Sequence, residues 1–169
     1  MPQYRRPALT DMPIYFTVAL AERHSDALLR HVDLLRQAVR QTRAERPFEI
    51  LAWVVLPDHM HCIWSLPDGD RDYPTRWRLI KSRVSRAVPC GPRRASDLRR
   101  HERGFWQRRY WEHHLRDPQD LAAHLHHCWF DPVRHGLVAR PEDWPWSSVH
   151  QARARGEFRP PAPLPGPKA

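Results

Sequence analysis

Apolar positions along this chain fall into blocks whose period changes from two to about 3.6 and back, and each block predicts an element. Ile14 to Leu20 is rich in β-branched and aromatic residues and reads as a first strand. Leu28, Val32, Leu35 and Val39 recur at steps of four, three and four, the stripe of a helix over 26–44 with Ser25 as its N-cap. Phe48 to Leu56 is apolar enough for a strand inside a sheet. After the turn Pro57-Asp58, His59 to Leu66 reads as its antiparallel hairpin partner. Trp77, Ile80, Val84 and Val88 predict a second helix over 75–88, whose outward side would carry Arg76, Lys81, Arg83 and Arg86. Residues 89–104 hold Pro, Gly, Ser and five arginines and read as a mobile basic loop. Phe105 to Leu115 predicts a fourth strand. Asp117 and Pro118 make a good helix start. That third helix should stop near Phe130, because Pro132 biases Asp131 away from helical geometry. A short helix is expected within 141–156, and residues 1–11 read as an irregular arm.

The order β-α-β-β-α-β is that of a ferredoxin-like α+β domain. It predicts a four-stranded antiparallel sheet with two helices on one face and the third helix free to cover the other. A single domain over 1–158 is expected, followed by a disordered proline-rich tail over 159–169.

Composition narrows the class of function. No apolar run is long enough to span a membrane, and Met1 to Arg6 lacks a signal-peptide core, so a cytoplasmic, nucleoid-associated protein is expected. Cys62, Cys90 and Cys128 have no zinc-knuckle spacing and read as reduced thiols. The formal net charge is +9, carried almost wholly by arginine, since Lys81 and Lys168 are the only lysines. Between Arg71 and Arg109 thirteen basic residues face three acidic ones. A field concentrated in one segment attracts a polyanion, and arginine grips phosphate in two places and stacks on bases.

The candidate chemistry is a histidine pair. His59-Met60-His61 falls on a predicted strand, where alternation sends both imidazoles to one face and Met60 to the other. Two neutral imidazoles on a rigid strand suit a divalent ion when a carboxylate completes the set. His124-Leu125-His126 falls on a predicted helix, where residues two apart diverge. On that helix His124, His127 and Asp131 form one polar stripe beside the apolar Leu121, Leu125 and Cys128. The stripe either completes a metal site or is a solvated histidine face.

The stretches Leu56-Pro57-Asp58-His59-Met60-His61-Cys62-Ile63-Trp64, Phe105-Trp106-Gln107-Arg108-Arg109-Tyr110-Trp111-Glu112-His113, Asp131-Pro132-Val133-Arg134-His135-Gly136-Leu137-Val138 and Asp143-Trp144-Pro145-Trp146-Ser147-Ser148 together resemble the REP-associated tyrosine transposases. Tyr4-Arg5-Arg6 and Arg46-Pro47-Phe48-Glu49-Ile50 fit as well, so the likeness runs over residues 4–158. The resemblance implies the ferredoxin-like HUH fold and a Mg²⁺ or Mn²⁺ ion held by His59 and His61 with help from position 131. It implies binding to repetitive extragenic palindromic DNA as a hairpin with a nearby single strand; among the basic positions, Arg5, Arg6, Lys81, Arg83, Arg108 and Arg109 are the expected phosphate contacts. It also implies a monomer whose tyrosine, on the third helix, attacks a phosphodiester. Here the sequence departs from the pattern: His127 stands where that tyrosine belongs, and Asp131 where an asparagine belongs. Tyr110 would serve as a substitute nucleophile only if it faced the metal. Two readings follow, a nuclease working through His127, a metal-activated water or Tyr110, and a catalytically inactive DNA-binding protein. A third, an RNA-binding module, needs exposed aromatics on the sheet face that the His pair occupies.

Overall fold

The computed structural model describes residues 12–89, 95–99 and 103–158. The arm with Arg5 and Arg6, the loop arginines Arg93, Arg94 and Arg100, and the tail over 159–169 lie outside the described residues. Four strands, β1 (Ile14–Ala19), β2 (Glu49–Val55), β3 (His59–Ser65) and β4 (Trp111–His114), form one antiparallel sheet in the order β2-β3-β1-β4. That order is the expected ferredoxin-like topology. β3 is central, pairing with β1 from Ile14↔Trp64 to Ala19↔His59 and with β2 through Val54↔His61. All but its last residue are buried.

One face of the sheet carries Ile14, Phe16, Val18, Met60, Cys62 and Trp64 and packs against helices α2 (Val32–Glu45) and α3 (Tyr73–Ala87). The opposite face carries Tyr15, Ala52, Val54 and Ile63 and packs against helix α5 (Pro118–Arg134) and helix α6 (Val149–Ala154). The third long helix therefore covers the other face, as its stripe required. The β2 edge is blunted. Trp146 O accepts from the Val55 amide at 2.8 Å along β2. Ala21 N donates to Phe105 O at 3.0 Å, extending the β4 side.

Four boundaries differ from the sequence expectation. The first helix is two, α1 (Ala27–Arg30) and α2, because His31 leaves helical geometry at φ −114° and ψ 22°. The apolar stripe passes through the break, so the pattern hid it. The expected loop 89–104 includes a short helix, α4 (Ala95–Arg99), among its described residues. The expected strand over 105–115 is an isolated bridge, Leu20↔Trp106, followed by a four-residue β4. Finally, α5 runs past Pro132 to Arg134. Leu137 N donates to Pro132 O at 2.9 Å and Gly136 N to Val133 O at 2.9 Å, with Gly136 at φ 66°. This is a Schellman stop, which places the proline in the last turn, where one missing amide is tolerated. The extension decides the site, because it keeps Asp131 on the helix.

Arg76 is a further correction. Its position on α3 predicts an outward side chain, yet it is 1% exposed. Its guanidinium donates to Asp70 Oδ2 at 2.6 Å, to Pro47 O at 2.8 Å and to Arg46 O at 3.2 Å. A buried arginine is tolerated only with its donors satisfied in this way.

Candidate metal centre and DNA interface

His59 and His61 project from the same face of β3 and share one oxygen. His61 Nε2 lies 3.1 Å and His59 Nε2 3.4 Å from Asp131 Oδ2. The imidazoles are 7% and 6% exposed and Asp131 4%. The far nitrogen of each ring is tied down. His59 Nδ1 donates to Asp58 Oδ1 at 2.7 Å, and its Nε2 faces the pocket. His61 Nδ1 lies 2.7 Å from Tyr15 Oη and 2.9 Å from Thr17 Oγ1, and these two hydroxyls anchor that side of the ring. Asp58 is itself held by the His24 amide at 2.8 Å and by Arg23 at 3.1 Å.

The helix supplies the rest. Asp131 is flanked at a helical turn on either side by His127 and His135, whose Nε2 atoms stand 3.8 Å from Oδ1 and 3.5 Å from Oδ2. The His127 ring is 5.1 Å from the His61 ring and receives a contact from the Arg134 guanidinium on Nδ1. Burial pushes the Asp131 carboxyl up, but hydrogen bonds from His59 and His61 outweigh it and hold the group far below the usual carboxylate range. Burial works to lower His59, and its bonds to Asp131 and Asp58 raise it overall. His61 and His127 are lowered, chiefly by burial.

This donor set fits a small divalent cation. Each Nε2 stands close to the roughly 3 Å from Asp131 Oδ2 that neighbouring ligands of one such ion keep from each other. The sets around Asp131 whose ligand atoms all lie within 4.8 Å of one another are His59, Asp131 and His135, and His61, His127 and Asp131. The two Nε2 atoms face one carboxylate oxygen, the far nitrogens are anchored, and the carboxylate, held well below its usual range, supplies negative charge. His59, His61 and Asp131 would hold the ion.

The other predicted site residues fall in different places. Tyr110 is not at this pocket. Its ring packs 5.8 Å from Phe16 and 5.8 Å from Trp77, on the α2/α3 side, with the sheet between it and the imidazoles. It keeps the parity of Glu112, which pairs with Phe16, so strand alternation forces that side. The condition for Tyr110 as a nucleophile is not met. Lys81 Nζ donates to Gln107 O at 2.6 Å and Arg108 O at 3.1 Å, fastening that segment to α3. The Arg83 fork is engaged by Glu45 and Thr42, each at 2.6 Å. Arg108 and Arg109 are exposed. A groove of about 630 Å³ opens beside them, lined by Arg78, Arg86, Arg103, Phe105 and Trp106 among others.

Sequence reasoning missed Tyr15, Thr17, Asp58 and His135. Asp58 was adjacent to the motif. Tyr15 and Thr17 were unreadable as partners of His61 until the register of β1 on β3 was known.

No family model matches the chain. A REP-associated tyrosine transposase of Escherichia coli K12 is 42% identical over 158 residues, spanning 94% of this chain and 88% of that protein. This chain belongs to the REP-associated tyrosine transposases. A Haemophilus influenzae protein bearing the same family name is 39% identical over 153 residues, 89% of this chain and 87% of its own length. A solved structure of a REP-associated tyrosine transposase bound to a REP hairpin matches with a TM-score of 0.82 at 42% identity, covering 94% of this chain and 89% of that one. Within the transposase fold, no described helix is long and apolar enough to cross a membrane.

Proposed function

We propose that this protein binds hairpin DNA of the REP type with an adjoining single strand, holds a divalent ion through His59, His61 and Asp131, and no longer performs the tyrosine-linked strand transfer of its family. The observation that carries this reading is the convergence of two strand-borne Nε2 atoms on one Asp131 oxygen, beside a helix position occupied by His127 rather than tyrosine. A divalent ion there supplies positive charge to a scissile or bound phosphodiester. The protein's own residues do the rest: Asp58 and the Tyr15–Thr17 hydroxyls orient the two rings, and exposed arginines such as Arg108 and Arg109 meet the phosphates.

Tyr73 belongs to the core against Phe16; of the other described tyrosines, Tyr110 lies across the sheet. Tyr15 approaches His61 on the nitrogen facing away from Asp131 and is raised, mainly by burial, far above the ordinary phenol value. Neither is placed to attack a phosphate in the pocket.

A second reading has one observation in its favour, the His127 ring 5.1 Å from His61. His127 would attack phosphorus through a ring nitrogen, form an N–P bond and release the DNA 3′-hydroxyl. Labelled REP-type hairpins with a single-stranded flank, incubated with Mn²⁺, separate the two. The wild type should bind the hairpin and yield neither cleavage nor a covalent adduct. His127→Tyr should restore a covalent protein–DNA adduct. Cleavage by the wild type that His127→Ala abolishes would establish the second reading instead. Equal affinity for hairpin and unstructured duplex would overturn both.

A further inference from the structure

Beside the metal pocket stands a large aromatic side chain that the fold does not bury. Trp111 is 55% exposed, the highest value among the large hydrophobic side chains of the described residues. It opens the edge strand β4 opposite Thr17, so it shares the sheet face of His61. Its ring lies parallel to His113, with centroids 5.7 Å apart and planes 8° from each other. It meets Tyr15 edge-on at 5.7 Å, and Tyr15 stacks on His61 at 5.5 Å. One ring therefore separates the indole from the candidate metal ligands.

The support beneath it is rigid. His113 pairs through Nε2 with Asp120 Oδ2 at 2.9 Å and stacks on His124 at 4.9 Å and 27°. Asp120 also accepts from the Arg116 amide at 3.1 Å, which fastens the start of α5 to β4. An indole backed on one side by a fixed imidazole and open on the other presents a flat π face to solvent. Left in water, that face contributes little to folding, because only area removed from water stabilises. It gains when another flat ring covers it.

We propose that Trp111, backed by His113, is a stacking platform for an unpaired nucleobase of the DNA strand that enters the metal pocket. Duplex DNA hides its base faces in its own stack, so only a single-stranded nucleotide can cover the indole. The surroundings are cationic: Arg116 has a side chain 76% exposed, and Arg109 is exposed two residues before the tryptophan. Cations on a backbone track with an exposed aromatic between them are the standard device for gripping single strands. The platform rests on the DNA-binding reading above and adds to it the part of the ligand that this face reads.

The test compares two hairpins with the same stem, one blunt and one carrying a single-stranded flank, in fluorescence-anisotropy titrations at fixed salt. Wild type, Trp111→Ala and Trp111→Phe are titrated with each. For the flanked hairpin, Trp111→Ala should weaken binding roughly 5- to 150-fold, the range of one lost base–aromatic stack. The blunt hairpin should bind all three proteins alike, and Trp111→Phe should recover most of the loss. Thermal melting of each variant verifies that the edge strand still folds. If Trp111→Ala binds the flanked hairpin as tightly as the wild type, or loses affinity equally for both, the platform is wrong while DNA binding stands. If the wild type binds neither hairpin, the DNA reading falls and takes the platform with it.

Discussion

The two faces of the sheet are built from alternate residues of the same strands and do opposite work. From β1 and β3, Phe16, Met60, Cys62 and Trp64 go to the helical layer of α2 and α3, none more than 2% exposed. Trp64 stacks on Trp77 at 4.3 Å and 15°, and Phe16 tilts against Trp64 at 5.0 Å. The intervening residues Tyr15, Thr17, His59 and His61 go to the α5 side, where polar contacts hold them beside a second apolar cluster that includes Ala52, Val54, Ile63, Cys128 and Trp129. Burying imidazoles and carboxylates costs free energy unless each is paired, whereas burying aromatic surface is favourable wherever it packs. Each face therefore has an apolar core, and the demanding arrangement of ligands is confined to the part of the α5 face around His59 and His61. Positions 127 and 131, where the resemblance expects tyrosine and asparagine, both lie on α5, on the far side of the sheet from the Phe16–Trp64–Trp77 core.

The comparison breaks first, if it breaks, at Trp64. Trp64→Ala should cost about 3–5 kcal/mol of folding stability, measured by urea unfolding, because the surrounding rings cannot collapse into so large a void. The folded fraction should still bind Mn²⁺ with near wild-type affinity in calorimetry. A loss below about 1 kcal/mol would mean that the helical face does not dominate stability. On the other face the effects should reverse in kind. Tyr15→Phe combined with Thr17→Val removes both hydroxyls from His61 Nδ1 and should lower Mn²⁺ affinity roughly 10- to 100-fold. The accompanying stability loss should be about 1–3 kcal/mol, the cost of one buried polar group left unsatisfied. Unchanged metal affinity in that variant would show that His61 is oriented by its strand alone.

The same division decides what could be read from the sequence. The strand order and the side of each histidine were legible, because alternation on β3 is a local rule and the apolar periods were clean. Asp131 and His127 could be placed together on one stripe of a helix for the same reason. What joined that helix to the strand was not local. Tyr15 meets His61 across 46 residues and Asp131 meets it across 70, through a register that no single segment encodes. The proline rule was misleading at Pro132, since Gly136, six residues past the expected stop, let the helix use its final turn. Arg76 was misplaced because a helical wheel counts residue character and cannot see the carbonyls of Arg46 and Pro47 arriving from elsewhere in the chain. Tyr110 was read within a longer strand than the one that forms, and its parity sent it to the core.

The smallest expected effect tests whether the polar face is fastened by charge at its edge. Burial pushes the Asp120 carboxyl up, but hydrogen bonds from His113 and Arg116 outweigh it and bring the group down to about 2 from 3.8. A carboxyl held lower in the folded than in the unfolded chain stabilises the fold fully above the unfolded value, and the contribution disappears as pH falls through the folded one. Asp120 should therefore contribute at pH 7 and lose its contribution between about pH 4 and pH 2. Asp120→Asn keeps an oxygen for the Arg116 amide and loses only the charge, so it should cost about 1 kcal/mol at neutral pH. At pH 2 the two proteins should be equally stable, which makes the acid limb of the variant's stability profile shallower. If the two limbs superimpose, the start of α5 is held by Leu115, Leu121 and their apolar neighbours instead. The polar face would then be anchored by the same forces as the aromatic one, and only the metal pocket itself would depend on charge.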